Sequence, residues 1–334
     1  MKVLVLTTSY PRSADDVAGV FVRDTVEHLR VAGVEVDVAS PASFPHFGIA
    51  YGDGILGNLR RSPWKAFLLP LFLLSFALAA RRAARGVDLV HAHWLPSALP
   101  ALATGRPFVV QLWGSDAELA RRAPWAFRWL ARRARLVLAA SQDLAAVGAV
   151  ELGVGAALVP NGVAIPEVVR EPEEPPHVLY VGRLSEEKGV RELAEATSGT
   201  RRVIVGDGPL RHLFPDAVGF VPPCGLGSYY ERAALVVCPS RREGYGVVAR
   251  EAMAHERPVV ATAVGGLSEA VEDGVTGLVV PPRDPAALRV AIDRLLDDAE
   301  LRRRLGAAAR ERAREKWSWD VAVERLRDVY QRSG

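Results

Sequence analysis

The chain has 334 residues, a length that suits two domains better than one. It is 49% hydrophobic and 24% charged, which is ample for buried cores, and its formal net charge is only +3. The small basic surplus forms no tail and does not interleave with aromatic residues, which argues against a nucleic-acid-binding protein.

Residues 2–7 read as a buried strand with no basic and apolar leader before them, so no secretion signal is expected. Residues 19–32 follow a helical period and residues 34–39 return as a strand. Residues 66–80 form the most apolar segment, flanked by Lys65 and by Arg81-Arg82. At fifteen residues including Pro70 it falls short of the roughly 20 that cross a bilayer. A half-buried helix is the plain reading, and peripheral docking on a lipid surface is the sharper one. Further strands are expected at 88–91, 108–112 and 136–140, each followed by a helix. Trp125 and Trp129 read as a helical stripe packed into the first core.

The alternation breaks near Asn161-Gly162, and residues 166–176, rich in proline and glutamate, read as an exposed linker. Strands resume at 178–181, 202–205, 235–238, 259–261 and 278–280, and residues 317–330 read as a final amphipathic helix started by Ser318. The expected organisation is an α/β chain with a first domain over 1–163, a linker over 164–176, a second domain over 177–315 and a closing helix over 316–334. Each domain would hold a parallel sheet covered on both faces, with ligands beyond the carboxyl ends of the strands. Cys224 and Cys238 lack metal or redox spacing and are expected as reduced thiols in the cytoplasm.

The stretch Glu243-Gly-Tyr-Gly-Val-Val-Ala-Arg-Glu251 carries the most chemistry. Two carboxylates bracket two glycines and a helix start. Glycines admit a ligand to bare amides, and the helix start suits a phosphate. The carboxylates would repel that phosphate but accept hydrogen bonds from hydroxyls. Phosphate and polyol together describe a sugar nucleotide. A second stretch, Gly182-Arg183 through Lys188-Gly189, places two cations just after a strand. It is either a solvated loop whose cations pair with Glu186 and Glu187, or a diphosphate grip. The acidic stretch at the same sheet end favours the grip.

These two stretches resemble the family-4 glycosyltransferases of the GT-B fold, in which two Rossmann-like domains face each other across a cleft. The pieces that carry the resemblance run through most of residues 159–332. They are Val159-Pro-Asn-Gly162, Gly182 to Gly189, Gly206-Asp-Gly-Pro209, Pro239-Ser240, Gly265-Gly266, Glu269, Gly274 to Gly277, Pro282 and Asp284. The first half resembles the family through Gly19-Val-Phe-Val22, His91-Ala-His-Trp94 and Gly114-Ser-Asp116. The resemblance implies that Glu251 takes the ribose hydroxyls and that Glu243 takes the donor sugar. It implies that the amides of Gly244, Tyr245, Gly246, Val247 and Val248 hold sugar and diphosphate. Arg183 and Lys188, beside Gly182, would neutralise the leaving diphosphate, with Gly19 approaching it from the first domain. It also implies retention of the anomeric configuration and a final helix that returns to the first domain.

No aspartate pair at a strand end suggests a metal, and none is expected; no other cofactor is expected beyond a UDP-, GDP- or ADP-linked sugar as donor substrate. Many family members carry a histidine before the glycine of the Gly-Ser-Asp segment, where this chain has Trp113, which can donate but cannot take a proton. His91, His93, Trp113 and Asp116 are the acceptor-side candidates. The bland alternatives are structural histidines at a strand end and a helix-capping Asp116. Gly206-Asp-Gly-Pro209 and Asn161-Gly162 read mainly as turns. Expected partners are a nucleotide sugar, a glycan or lipid-linked acceptor and, at the inner face of the cell membrane, a lipid surface. The rivals are a GT-B epimerase or phosphorylase, or a non-catalytic sugar-nucleotide-binding partner. A dehydrogenase is disfavoured, because the first strand leads into Thr8-Ser-Tyr-Pro with no G-x-G-x-x-G turn.

Overall fold

The computed structural model describes the chain except residues 14, 15, 17, 52, 53, 115, 117–119 and 122 and the side chains of 54 and 56. Ser115 of the Gly-Ser-Asp segment therefore lies outside the described residues. The chain forms two compact units, Met1–Asn161 with Ala322–Gly334, and Gly162–Val321.

The first unit holds a six-stranded sheet in the order β2-β1-β3-β4-β5-β6. Its strands are β1 Lys2–Leu6, β2 Glu35–Ala39, β3 Leu89–His93, β4 Phe108–Leu112, β5 Leu136–Ala139 and β6 Ala156–Leu158. All pair in parallel. Every residue of β3 and β4 is buried, the mark of a sheet covered on both faces. One face packs Val3, Val5, Val22, Val26 and Leu29 against Val323, Leu326, Val329 and Tyr330 of the final helix, Trp319–Ser333. Val323, Leu326 and then Val329 and Tyr330 stand three or four residues apart along the chain, the period of one helical face. Trp317 ends the preceding helix, Ala299–Trp317, rather than opening the last one.

The helix Leu69–Ala83 buries Phe72, Phe76 and Ala80 on the other face, with Phe76 stacked on Phe44 at 4.5 Å. Trp125 and Trp129 reverse the expectation set for them: they are 78% and 46% exposed. The short helix Pro124–Ala131 instead buries Leu130 and Ala131 and packs Phe127 inward, which leaves the i, i+4 pair of tryptophans on the opposite face.

The second unit holds five parallel strands in the order β11-β10-β9-β7-β8. They are β7 Val178–Val181, β8 Arg202–Val205, β9 Leu235–Cys238, β10 Val259–Thr262 and β11 Gly277–Val280. From β7 the chain moves outward to β8, then returns to the other side of β7 with β9. The order therefore reverses between β7 and β9, the place where open parallel sheets bind ligands. The ladder there is short, with only Val178↔Leu235 and Leu179↔Val236 in register, so the carboxyl ends of the two strands part. The segment read as an exposed linker is held by hydrogen bonds to its backbone. Arg310 donates to the Pro166 carbonyl, Arg257 to that of Arg170, and the Glu173 amide to that of Arg232.

Candidate active site

The site is built where β7 and β9 separate. After β7, Gly182 leaves the strand at φ 153, and the chain turns through Glu186–Lys188 to Gly189. Gly189 has φ 67, and a Cβ there would lie 1.8 Å from the Pro239 carbonyl. Only glycine lets the loop after β7 close onto the loop after β9. That closure sets Lys188 against Glu243, Nζ to Oε2 at 2.6 Å, although the two are 55 residues apart. Ser240 reaches the same oxygen at 3.5 Å. Gly182, Lys188, Ser240, Glu243, Gly246 and Val248 line one small cavity of about 50 Å³.

The solvated-loop alternative assigned Glu186 and Glu187 to Arg183 and Lys188. They pair elsewhere: Glu186 with Arg191 and Arg241, and Glu187 with Arg242 at 3.2 Å. Lys188 is thereby left to Glu243. Arg183 is exposed and makes no ion pair among the described residues, while its carbonyl accepts from the Tyr180 hydroxyl at 2.9 Å.

Gly246 stands at φ 77 immediately before the helix Val247–Ala254, so the amides that open this helix follow a turn without a side chain. Glu243 precedes the helix and Glu251 lies within it, so the two acids do not share a helical face. Gly266 braces the turn from behind. Its amide donates to the Glu243 carbonyl at 2.9 Å, and a Cβ on it would come 2.6 Å from the Tyr245 carbonyl. Tyr245 is buried and Val247 is 38% exposed. Glu251 accepts at 2.7 Å from the hydroxyl of buried Tyr230. Burial, and then the charge of Glu251, push the Tyr230 phenol well above its ordinary value, so it remains a neutral donor. Burial pushes the Cys238 thiol beneath the site up to about 12 and keeps it protonated. Among the described residues no cluster of three or more His, Cys, Asp or Glu could hold a metal ion.

In the first unit, Gly19 sits at φ 72 with a Cβ position 2.1 Å from the Ser9 carbonyl, as the tight loop after β1 demands. His91 and His93 lie inside β3, 1% and 2% exposed, with rings stacked at 4.3 Å. His91 Nδ1 and the Tyr330 hydroxyl share a hydrogen bond of 2.8 Å. Trp113 stacks on His93 at 5.9 Å and lies 4.3 Å from Phe21. Asp116 is buried and accepts from the amides of Trp113 at 2.7 Å and Leu95 at 3.0 Å. It ties the loops after β3 and β4 together; the amides that an N-cap at Asp116 would meet, at residues 117–119, lie outside the described residues.

Burial holds His91 down at about 3 and His93 well below the usual histidine range. Both are neutral in the fold, whereas the unfolded chain takes up their protons below about pH 6.5. The stability they support is therefore complete above that pH and lost on acidification, by about 1.4 kcal/mol per histidine per pH unit. Asp116 opposes them: burial raises its carboxyl to about 7, so it favours the fold as pH falls from there towards about 4. The stability difference between wild type and His91→Gln/His93→Gln is expected to move by about 2.4 kcal/mol between pH 6 and 5, read by urea unfolding. A flat difference would show that the pair is already charged in the fold.

Two family models cover most of the chain: "Glycosyltransferase Family 4" over residues 18–165 and "Glycosyl transferases group 1" over residues 164–312. A glycogen synthase from Mycobacterium tuberculosis is 32% identical over 73% of this chain and 68% of its own length. The chain belongs to the family-4 glycosyltransferases. An alpha-D-kanosaminyltransferase from Streptomyces kanamyceticus is 39% identical over 48% of this glycosyltransferase, which spans about half (47%) of that relative. The Anabaena protein HepE, solved with UDP, superimposes with a TM-score of 0.77 at 20% identity, over 99% of this chain and 100% of that one. The glycosyltransferase thus has the GT-B fold, two parallel-sheet α/β domains.

Sequence reasoning assigned no role to two residues of this glycosyltransferase that support the site. Tyr230 holds Glu251 from 21 positions away, with no local pattern to betray it. Arg250, inside the acidic stretch itself, is 1% exposed. It donates to the carbonyl of Tyr245, reaches those of Gly246 and Gly266 at 3.4 Å, and lies 3.9 Å over the Tyr245 ring and 4.5 Å over that of Trp317. A charged residue in an otherwise apolar helix start was the available clue.

Proposed function

We propose that this glycosyltransferase moves a hexosyl group from a nucleotide-diphosphate sugar to an acceptor hydroxyl, with retention of configuration and without a metal. The observation that carries the reading is the cavity at the reversal between β7 and β9 that Lys188, Glu243 and the Gly246 turn line together, with Arg183 next in sequence to its Gly182. Cleavage of the bond from the anomeric carbon to the β-phosphate oxygen leaves its electron pair on the diphosphate. Lys188, Arg183 and the helix-opening amides offer compensating charge where that oxygen departs. The acceptor hydroxyl would attack on the same side and pass its proton to the departing phosphate. Lys188 then exchanges between Glu243 and phosphate, which frees Glu243 to accept from sugar hydroxyls. Glu251, steadied by Tyr230, takes the ribose hydroxyls.

The HepE structures with UDP and with UDP-glucose make a UDP-sugar the first donor to try. A lipid-linked or cell-surface glycan, met at the cytoplasmic face of the membrane, is the proposed acceptor. Thermal shift against UDP-, GDP- and ADP-sugars, with divalent metal and then in excess chelator, is the test. A true donor at 100 times its Kd adds about 2.7 kcal/mol and raises the melting temperature. An unmoved transition across the panel would sink the reading, and a shift that vanishes with chelator would remove its metal independence.

A further inference from the structure

The apolar helix of the first unit leaves half its surface uncovered. Phe72, Phe76 and Ala80 point into the core at intervals of four. On the outer side Trp64, Phe67, Leu71, Leu74 and Leu78 are 62%, 86%, 50%, 56% and 47% exposed. Their spacing of 3, 4, 3 and 4 makes one continuous stripe. The first step lies in the 3₁₀ turn Pro63–Leu68, where residues three apart eclipse, and the rest in the α-helix that follows.

Charge along this stripe has one sign. Residues 54–87 contain no Asp or Glu but include Arg60, Arg61, Lys65, Arg81, Arg82 and Arg85. At the helix end, Arg81, Arg82, Arg85 and Arg106 join Leu78 around an open depression of about 460 Å³. Among the described residues, none of these four arginines has an acidic partner; Arg81 only reaches the Ala103 carbonyl at 3.4 Å. Four guanidinium groups without acidic partners around one open depression suit phosphate-bearing anions.

We propose that this face docks on an anionic lipid bilayer, with the stripe entering the acyl boundary and the four-arginine depression taking phosphate-bearing headgroups. Apolar side chains beside cations match such a surface in both of its layers. The segment Pro63–Ala83 is long enough to cross a membrane, but crossing would pull Phe72 and Phe76 out of the core that they share with Leu4 and Phe44. A second copy on the same stripe would bring arginine clusters together with no acid between them, so charge complementarity selects the lipid.

The proposal deepens the membrane contact named above and rests on it for its purpose. Vesicle binding and donor hydrolysis are therefore measured separately, so that failure of one is distinguishable from failure of the other. The full chain is sedimented with phosphatidylcholine vesicles, alone or with about one-third phosphatidylglycerol. Binding is expected with the anionic vesicles and not with the neutral ones. Arg81→Gln/Arg82→Gln/Arg85→Gln should weaken it by about 100-fold. Phe67→Ser/Leu71→Ser, at sites already exposed in the fold, should also weaken it, and both variants should retain donor hydrolysis. Equal binding to both vesicles, no binding at all, or a wild-type dimer dissolved by Phe67→Ser/Leu71→Ser would each overturn the proposal.

Discussion

Lys188→Ala is expected to lower turnover at saturating donor by about 100- to 1,000-fold, the range for removing one preorganised charge from a site of bond cleavage. Lys188 lines the cavity between β7 and β9 together with Glu243, whereas Arg183 is exposed and not among the residues that line it. Charge on the leaving diphosphate grows between the bound state and the transition state. A cation held beside it therefore acts mainly on kcat, and donor affinity should fall much less. The comparison variant is Glu243→Gln, which removes the partner 2.6 Å away while leaving the cation in place.

If Lys188 served only to tie down Glu243, then Lys188→Ala would cost little in the Glu243→Gln background. If it stabilises the departing phosphate, the loss persists there, and the double-mutant cycle separates the two roles. Turnover of Lys188→Ala within a few-fold of wild type would remove the charge-stabilisation account.

The sheets were readable because parallel strands buried on both faces appear as short continuous apolar runs between helical patterns. All five strands of the second sheet and five of the six in the first can be placed from that pattern. β6, Ala156–Leu158, escaped because it has three residues, none β-branched, and two of them are only partly buried. For the tryptophans, spacing showed that 125 and 129 share a helical face but not which way that face points. Phe127 and Leu130 competed for the inside and won it. The candidate site stretches were legible through glycine and charge at local spacing. The contact between Lys188 and Glu243 follows only from strand order, which sets the loop after β7 beside the loop after β9. The Tyr230–Glu251 pair and the burial of Arg250 depend on packing between distant segments, to which no local pattern answers.

Arg250→Ala is expected to destabilise the second unit by about 3–5 kcal/mol, the largest stability effect of any single change around the site. The guanidinium is sealed between two aromatic rings and serves carbonyls of Tyr245, Gly246 and Gly266. Truncation removes a cation–π contact of about 2 kcal/mol. It also leaves a buried carbonyl without its donor, at about 1–3 kcal/mol, and opens a cavity. Relief of the guanidinium's own desolvation, which lowers its pKa from the ordinary value, offsets part of this. At roughly 2–4 °C per kcal/mol for a unit of this size, the melting transition should fall by about 10 °C.

The same change should loosen the turn that presents the amides of Gly246 and Val247, so donor affinity falls with stability. Arg250→Lys should rescue little, because an ammonium lacks the planar fork that meets several carbonyls while lying flat against rings. Arg250→Met separates packing from hydrogen bonding. If filling the volume were all that mattered, methionine would restore both the melting temperature and donor affinity. If the fork holds the turn, methionine recovers part of the stability and leaves donor affinity weak. An Arg250→Ala protein within about 1 kcal/mol of wild type would show that Gly266 and the helix brace the turn unaided.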